Sequence, residues 1–171
     1  MVKPTEVKAK AQSLEEQNCK FRIFLKNRAN EHELDAQFLS LHKELFSEYN
    51  CRKCANCCKS CSILLAEDDI TRISSFLEMA EDDFAAEYLA DADEDDEKPY
   101  VFKGKPCPFL HEDGSCGIQS CKPDVCDGYP FTDKPGRLWS LYSVIEHAEV
   151  CPVVFEILER LKKMYGFRNV L

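Results

Sequence analysis

The sequence predicts a mainly helical α+β fold, in which helices flank a cysteine-rich loop centre that includes a small antiparallel sheet. Apolar residues recur at helical spacing near both ends of the chain, at residues 30–49 and 152–165. There are 11 cysteines among the 171 residues, and most of them lie between these two stretches. Short apolar runs beside a turn at residues 99–118 indicate the sheet.

The chain is long enough to form a domain with its own hydrophobic core, so its cysteines are not needed merely to staple a small fold together. Residues 1–12 are polar and rich in lysine, and are predicted to form a disordered N-terminal tail. Residues 13–171 are predicted to form a single cysteine-rich domain.

Two helices are predicted before the cysteines, at residues 14–26 and 30–49. Asn30 is a favourable N-cap residue, and Glu33 follows three residues later, as in a capping box. The buried face of the second helix is predicted to consist of apolar and aromatic residues at helical spacing: Leu34, Phe38, Leu41, Leu45 and Tyr49.

The segment CRKCANCCKSC, residues 51–61, has no apolar periodicity, so it is predicted to be a loop held by something other than a hydrophobic core. Five short segments are predicted after it: helices at 67–76 and 82–89, a strand at 99–103, a tight hairpin at 109–118 and a strand at 137–142. Pro152 then begins a helix that continues to about Tyr165, and Gly166 ends it.

The distribution of apolar residues predicts the redox environment of the cysteines. The N-terminal residues contain no apolar core of a secretory signal, and no stretch approaches the roughly 18 apolar residues of a membrane span. A cytoplasmic location is therefore expected, where thiols stay reduced. Cysteine-rich patterns there indicate metal binding or catalysis, and the odd number of 11 cysteines fits a fully paired disulfide framework poorly.

The formal net charge of −9 argues against binding to a nucleic-acid backbone, because the Lys and Arg residues are interspersed among carboxylates. No membrane partner is expected, and another protein is the expected partner. The chain has no nucleotide-binding or nucleophile motif. The sequence therefore assigns neither a reaction nor a small-molecule substrate.

The motif Cys51-x2-Cys54-x2-Cys57 is the strongest functional signal, because three thiols at this spacing can surround one metal ion or cluster. In iron–sulfur proteins such a run supplies three ligands, and a distant cysteine, often followed by proline, completes the set. Cys107 and Cys151 are both followed by proline.

Cys57 and Cys58 are adjacent, and neighbouring side chains ordinarily point in different directions. They are therefore not expected to share one tetrahedral centre. Cys58 is then available for a second metal site or for a role as a redox-active or metal-transfer thiol. The spacing Cys58-x2-Cys61 offers a further pairing, so the partition of the ligands stays open.

These motifs resemble the YkgJ-like CxxCxxCC family, whose members are described as zinc- or iron-chelating. The resemblance covers about residues 51–152, through the segments CRKCANCC, CPFLHEDGSCGI and KPDVCDGYPF and the late Cys-Pro pair. It implies a metal-binding domain whose ligands are eight thiolates: Cys51, Cys54, Cys57, Cys58, Cys107, Cys116, Cys126 and Cys151.

Two positions depart from the family pattern, since Lys122 replaces the usual arginine and Gln119 the usual aromatic residue. Three further cysteines lie outside the family set, and each is expected to be an ordinary thiol: Cys19, Cys61 and Cys121. His147, four residues before a cysteine of the set, is the best histidine candidate for a ligand. Trp139 is predicted to pack in the core or over the thiolates, with an exposed binding patch as the alternative.

Eight thiolates suit two zinc ions, two iron–sulfur clusters, or one cluster with a second metal site. The helices are expected to fold without help from a metal, which favours an iron–sulfur cluster that transfers electrons or supports a protein-modification enzyme. Similar cysteine modules occur in flagellin lysine methylases, which is an analogy for the latter role. The alternative is a zinc-stabilised interaction module without catalytic activity.

Overall fold

The computed structural model of the chain describes residues 1–93, 96 and 98–168, and these residues form two compact units. The helical unit comprises Met1–Asn50 together with the segment that starts at Pro130, and the cysteine-rich unit comprises Cys51–Tyr129. A single domain was predicted over residues 13–171. That assignment stays a prediction, while the helical segments and the cysteine-rich segment each pack apolar side chains of their own.

The fold is mainly helical with a small antiparallel sheet, as predicted. The helices are α1 (Val7–Ser13), α2 (Glu15–Arg28), α3 (Glu31–Glu48), α4 (Cys51–Cys54), α5 (Asn56–Ser60), α6 (Glu67–Phe76), α7 (Glu81–Tyr88), α8 (Asp124–Asp127), α9 (Leu141–Ala148) and α10 (Pro152–Met164). The strands are β1 (Leu64–Leu65), β2 (Leu89–Asp91) and β3 (Tyr100–Phe102). No helix in the described part of the chain is long and apolar enough to cross a membrane.

The helical unit buries the residues that the sequence pattern assigned to its core. Four of the five residues predicted for one face of α3 are buried, at Leu34, Phe38, Leu41 and Leu45. The side chain of Asn30 accepts a hydrogen bond from the Glu33 N–H at 3.1 Å, so the predicted N-cap is confirmed. Helix α10 begins at Pro152 and buries a broad apolar face, as predicted.

The first residues of the chain differ from the predicted disordered tail. Helix α1 covers Val7–Ser13, and both Val7 and Ala11 are buried. These two residues are four positions apart and therefore lie on the same side of the helix. Two small apolar side chains are thus enough to pack this otherwise polar segment.

The strand predicted at 137–142 is wrong, because α9 occupies its last two residues and continues to Ala148. The alternating pattern was misleading: Leu141, Val144 and Ala148 are buried at helical spacing. Trp139, predicted to be covered, is 73% exposed. Its indole N–H donates to the Glu31 carboxylate at 3.0 Å, and the Lys26 ammonium lies 4.2 Å from the ring centre.

The cysteine-rich unit contains the sheet, whose strand order is β1-β3-β2 with both pairs antiparallel. Leu64 pairs with Val101, and Leu89 pairs with Phe102. The predicted strand at 99–103 is thereby confirmed. The sheet and its neighbouring helices bury one apolar cluster: Leu65, Ile70, Ile73, Phe84, Leu89, Phe102, Phe109, Ile118 and Cys121.

A buried carboxylate lies beside this cluster at the start of α6. The side chain of Asp69 is 3% exposed and accepts a hydrogen bond from the Ala66 N–H at 3.0 Å. Burial by itself would raise the pKa of Asp69, but the hydrogen bond from Ala66 and the charge of Lys98 outweigh it. The pKa of Asp69 therefore lies below its ordinary value, and the carboxylate is ionised in the folded protein.

We expect Asn30→Ala to lower the free energy of unfolding by about 1 kcal/mol, because the Glu33 N–H loses its acceptor at the start of α3. Urea denaturation followed by helical circular dichroism measures the change. Lys43→Ala at an exposed position within α3 is the matched control, with an expected change below about 0.5 kcal/mol. Equal effects of the two substitutions would contradict the capping role.

We expect Asp69→Asn to lower the free energy of unfolding by about 2 kcal/mol near neutral pH, since Arg72 and Lys98 lose a buried charged partner. The pKa of Asp69 is lower in the folded protein than the value of about 3.9 in the unfolded chain. Its stabilising effect is therefore present above about pH 4 and is lost as the pH falls through the folded-state pKa. The neighbouring charged groups are Arg72, Lys98 and the exposed Asp124.

Urea denaturation at about pH 7 and about pH 3 tests this dependence. The difference between Asp69→Asn and the wild type should shrink in acid. Asp68→Asn, at the exposed neighbouring position in the same first turn, should change the stability by less than about 0.5 kcal/mol. A pH-independent difference for Asp69→Asn would exclude the charge as its cause.

Candidate metal centre

The segment at 51–61 consists of two short helices rather than the predicted loop. Cys51 and Cys54 begin and end α4, and Cys57 and Cys58 lie within α5. Between them Ala55 adopts a left-handed conformation with φ 47°, which turns the chain sharply. The segment is helical without an apolar face because its backbone makes local hydrogen bonds, such as that from the Ala55 N–H to the Cys51 carbonyl at 2.7 Å.

The sulfur atoms of Cys57 and Cys58 lie 4.0 Å apart. Two thiolates bound to one tetrahedral zinc ion are separated by roughly 3.8 Å, given Zn–S bonds of about 2.3 Å. This spacing is compatible with one shared centre, and the partition of the two residues between centres stays a prediction. The hydrogen bond from Cys57 lowers the pKa of Cys58 to about 6 against the opposing effect of burial.

Cys107 is joined to α5 through the backbone. Its N–H donates to the Cys58 carbonyl at 2.8 Å. Cys116 lies on the returning arm of the hairpin that follows, opposite Leu110 in an antiparallel bridge. The predicted hairpin at 109–118 is thus confirmed, and both Cys107 and Cys116 lie against the apolar cluster of the unit.

The turn of this hairpin lies directly on the backbone of α4. Gly114 has φ +81°, and a Cβ atom at this position would lie 2.0 Å from the Arg52 carbonyl oxygen. Arg52 also forms an ion pair with Asp113. Hydrogen bonds from Ser115, followed by that from Arg52, lower the pKa of Asp113 to about 2. The approach of Gly114 therefore places the hairpin beside the first two cysteines of the motif.

Cys126 comes from a third segment, the single helical turn of α8. Its N–H donates to the Pro123 carbonyl at 2.8 Å. Burial, followed by the neighbouring Cys107, Cys58 and Cys116, raises the pKa of the Cys126 thiol to about 12. A thiol with such neighbours ionises readily only when a cation compensates the charge.

Neighbouring thiols also raise the pKa values of Cys51 and Cys107. Burial raises the pKa of Cys51, and Cys54 and Cys58 raise it further. Burial likewise raises the pKa of Cys107, with added effects from Cys58 and Cys116. The structure therefore brings seven of the eight predicted ligands into one interacting group, which we call the thiol cluster: Cys51, Cys54, Cys57, Cys58, Cys107, Cys116 and Cys126.

Lys122 is a cation beside the thiol cluster, and the sequence alone did not identify this role. Its ammonium lowers the pKa of three thiols, those of Cys51, Cys58 and Cys126. The Lys122 side chain is 21% exposed and forms an ion pair with Asp127 at 3.3 Å. The only sequence signal was the basic residue that the family pattern has at this position.

The eighth predicted ligand belongs to the helical unit. Cys151 is buried at the N-cap of α10, and its N–H donates to the His147 carbonyl at 2.8 Å. His147, the histidine candidate, lies in the same unit and hydrogen-bonds to the backbone of Pro130. Burial lowers the pKa of His147, so its imidazole is neutral at physiological pH.

The remaining cysteines have three different environments. Cys19 is exposed on α2, and Cys121 is buried in the apolar cluster of the cysteine-rich unit. Cys61 is half-buried at the end of α5, and its N–H donates to the Cys57 carbonyl at 2.9 Å. Burial raises the pKa of Cys61, and Cys58 adds to this increase. Cys61 therefore borders the thiol cluster.

The donor set of the thiol cluster suits iron or zinc, both of which bind thiolates. Among residues 1–93, 96 and 98–168, however, no three His, Cys, Asp or Glu side chains are already arranged to coordinate one ion. The sulfur pair of Cys57 and Cys58 has a spacing close to that of two ligands on one metal ion.

Comparison with known proteins gives one family. The family model CxxCxxCC, described as a "putative zinc- or iron-chelating domain", matches residues 50–152, which is more than half of the chain. The match contains every residue of the thiol cluster and Cys151. No curated protein and no solved structure matches the chain.

We expect Gly114→Ala to destabilise the cysteine-rich unit more than Gly104→Ala does, by about 1–3 kcal/mol. Both glycines have positive φ, but a Cβ at Gly104 meets no atom within 4 Å, whereas a Cβ at Gly114 collides with Arg52. The difference between the two variants therefore isolates the close approach to α4. Thermal and chemical denaturation measure it, and equal destabilisation would contradict the contact.

Proposed function

This chain belongs to the CxxCxxCC family, and we propose that it binds its metal through the thiol cluster of the cysteine-rich unit. The observation that supports this most directly is the mutual effect of thiols from three separate segments on one another's pKa. Such a group favours a bound cation, because several thiolates placed together repel one another unless a metal neutralises them.

The proposed ligands are the eight thiolates of the family pattern: Cys51, Cys54, Cys57, Cys58, Cys107, Cys116, Cys126 and Cys151. Seven are in the thiol cluster, and Cys151 is included on the family pattern. Eight thiolates provide two sets of four, the number that both tetrahedral zinc and a cubane iron–sulfur cluster require. The segments around Cys107 and Cys126 also support the narrower YkgJ-like assignment.

An iron–sulfur cluster is the first candidate for the bound group. The cysteine-rich unit has an apolar cluster of its own, so its fold does not depend on a structural metal in the way that a zinc finger does. A metal that is not needed for folding is better explained by a chemical role, such as electron transfer, than by a structural one. A cluster supplies one-electron transfer when bound, which fits a cytoplasmic electron-transfer protein or a protein that supports a modification enzyme.

A structural zinc site is the second candidate, and the sulfur spacing of Cys57 and Cys58 supports it. Their 4.0 Å separation is close to the roughly 3.8 Å between two thiolates on one zinc ion. The metal would then hold α5 and the loops beside it in place for a partner protein, without taking part in a reaction. The two candidates differ in colour and in acid-labile sulfide.

Anaerobic purification followed by analysis of iron, zinc and acid-labile sulfide distinguishes them. Iron with equimolar sulfide and visible absorbance supports the cluster. Zinc in stoichiometric amount without colour supports the structural site. A protein that binds neither metal, with its thiols intact, would overturn the proposed function.

We expect Cys58→Ser to lose about half or more of the bound metal, because removing one thiolate breaks at least one of two sets of four. Cys19→Ser, which removes an exposed thiol outside the cluster, should retain all of it. Metal content per chain measures both. Full metal content in Cys58→Ser would show that Cys58 is not a ligand, and would favour its alternative role as a redox or metal-transfer thiol.

A further inference from the structure

Asp69 connects α6 to the segment that carries Cys126. One carboxylate oxygen accepts the Ala66 N–H and the Lys98 ammonium at 3.0 and 3.4 Å. The other accepts the guanidinium of Arg72 at 2.7 Å and the Asp124 N–H at 3.4 Å. The acidic residue is almost fully buried, so these donors replace the water that it loses.

Arg72 extends this contact to three residues of the same segment. Its guanidinium donates to the Cys121 carbonyl at 3.5 Å, to the Lys122 carbonyl at 3.1 Å and to the Asp124 carboxylate at 3.3 Å. A planar guanidinium can hold several acceptors in fixed directions, which an ammonium cannot do. Asp69 in turn fixes the direction of Arg72 itself.

The segment held in this way, residues 121–127, carries the proposed ligand Cys126 and the cation Lys122. Cys126 is one of the proposed ligands, and the ammonium of Lys122 forms an ion pair with Asp127 of the same segment at 3.3 Å. Regular secondary structure in this segment is limited to the one turn of α8. The positions of Cys126 and Lys122 therefore depend on the side chains that contact the backbone of residues 121–127.

We propose that Asp69 and Arg72 are positioning residues of the metal centre, which hold the 121–127 segment so that Cys126 and Lys122 meet the other thiols. This inference rests on the proposed function. Neither residue is a ligand. Groups that orient ligands in this way typically change metal affinity by 10–100-fold when they are removed.

Titration of the reduced, metal-free protein with Co²⁺ tests the inference, because thiolate ligation gives a strong charge-transfer absorbance. Arg72→Gln should weaken Co²⁺ binding by about 10–100-fold. Arg72→Lys keeps the charge beside Asp69 but cannot hold the two loop carbonyls in the same way, so binding should still weaken about tenfold. Lys98→Gln is the matched control, since Lys98 contacts the same carboxylate on its other oxygen.

Amide hydrogen exchange of the metal-free protein provides a second measurement. The N–H groups of Cys126 and Asp127 donate to the Pro123 carbonyl. Their exchange should be faster in both Arg72 variants than in the wild type, and Lys98→Gln should leave their exchange rates unchanged. Circular dichroism identifies any variant that fails to fold, and Arg72→Lys is the more conservative of the pair.

Three results decide the matter. Weaker Co²⁺ binding and faster exchange in the Arg72 variants alone would support the positioning role. Arg72 variants that bind Co²⁺ like Lys98→Gln and the wild type would overturn it and leave the proposed function intact. A wild-type protein that fails to bind Co²⁺ would overturn the proposed function itself, together with the ligand role of the 121–127 segment.

Discussion

The crowding of thiols in the cysteine-rich unit is the constraint on which the candidate centre depends. Burial and neighbouring thiols raise the pKa values of Cys51, Cys107 and Cys126, so these thiols are hard to ionise together. A metal cation reverses this cost, because it binds the thiolates and releases their protons. Lys122 provides a partial compensation from within the protein, since its ammonium acts on three of the thiols.

Backbone contacts bring the cysteines of the hairpin segment to those of α4 and α5. The hydrogen bond from Cys107 to the Cys58 carbonyl joins the hairpin to α5, and the close approach of Gly114 to Arg52 places its turn on α4. Cys107 and Cys116 also rest on the apolar cluster formed by the sheet and its helices. The unit thus has an apolar cluster of its own, and the thiols of the thiol cluster come from three chain segments.

The errors in the predicted elements have a common cause. Residues 137–142 have a strand-like composition, yet Leu141 begins a helix because Val144 and Ala148 continue its buried face. Val7 and Ala11 make the same kind of contact in α1, within a segment that looked too polar to pack. In both places the partner surface decides the structure, and a short window of sequence does not contain that surface.

The sequence by itself determined the long helices, the N-cap at Asn30, the hairpin around Gly114 and the set of cysteines, because each of these is recorded in local spacing. It also led to the family through the spacing of its cysteines. Only the tertiary structure decided that the sulfurs of Cys57 and Cys58 lie together and that Lys122 acts on thiols of two segments. Such contacts depend on how segments far apart in the chain approach one another, and the spacing of residues along the chain carries no record of that distance.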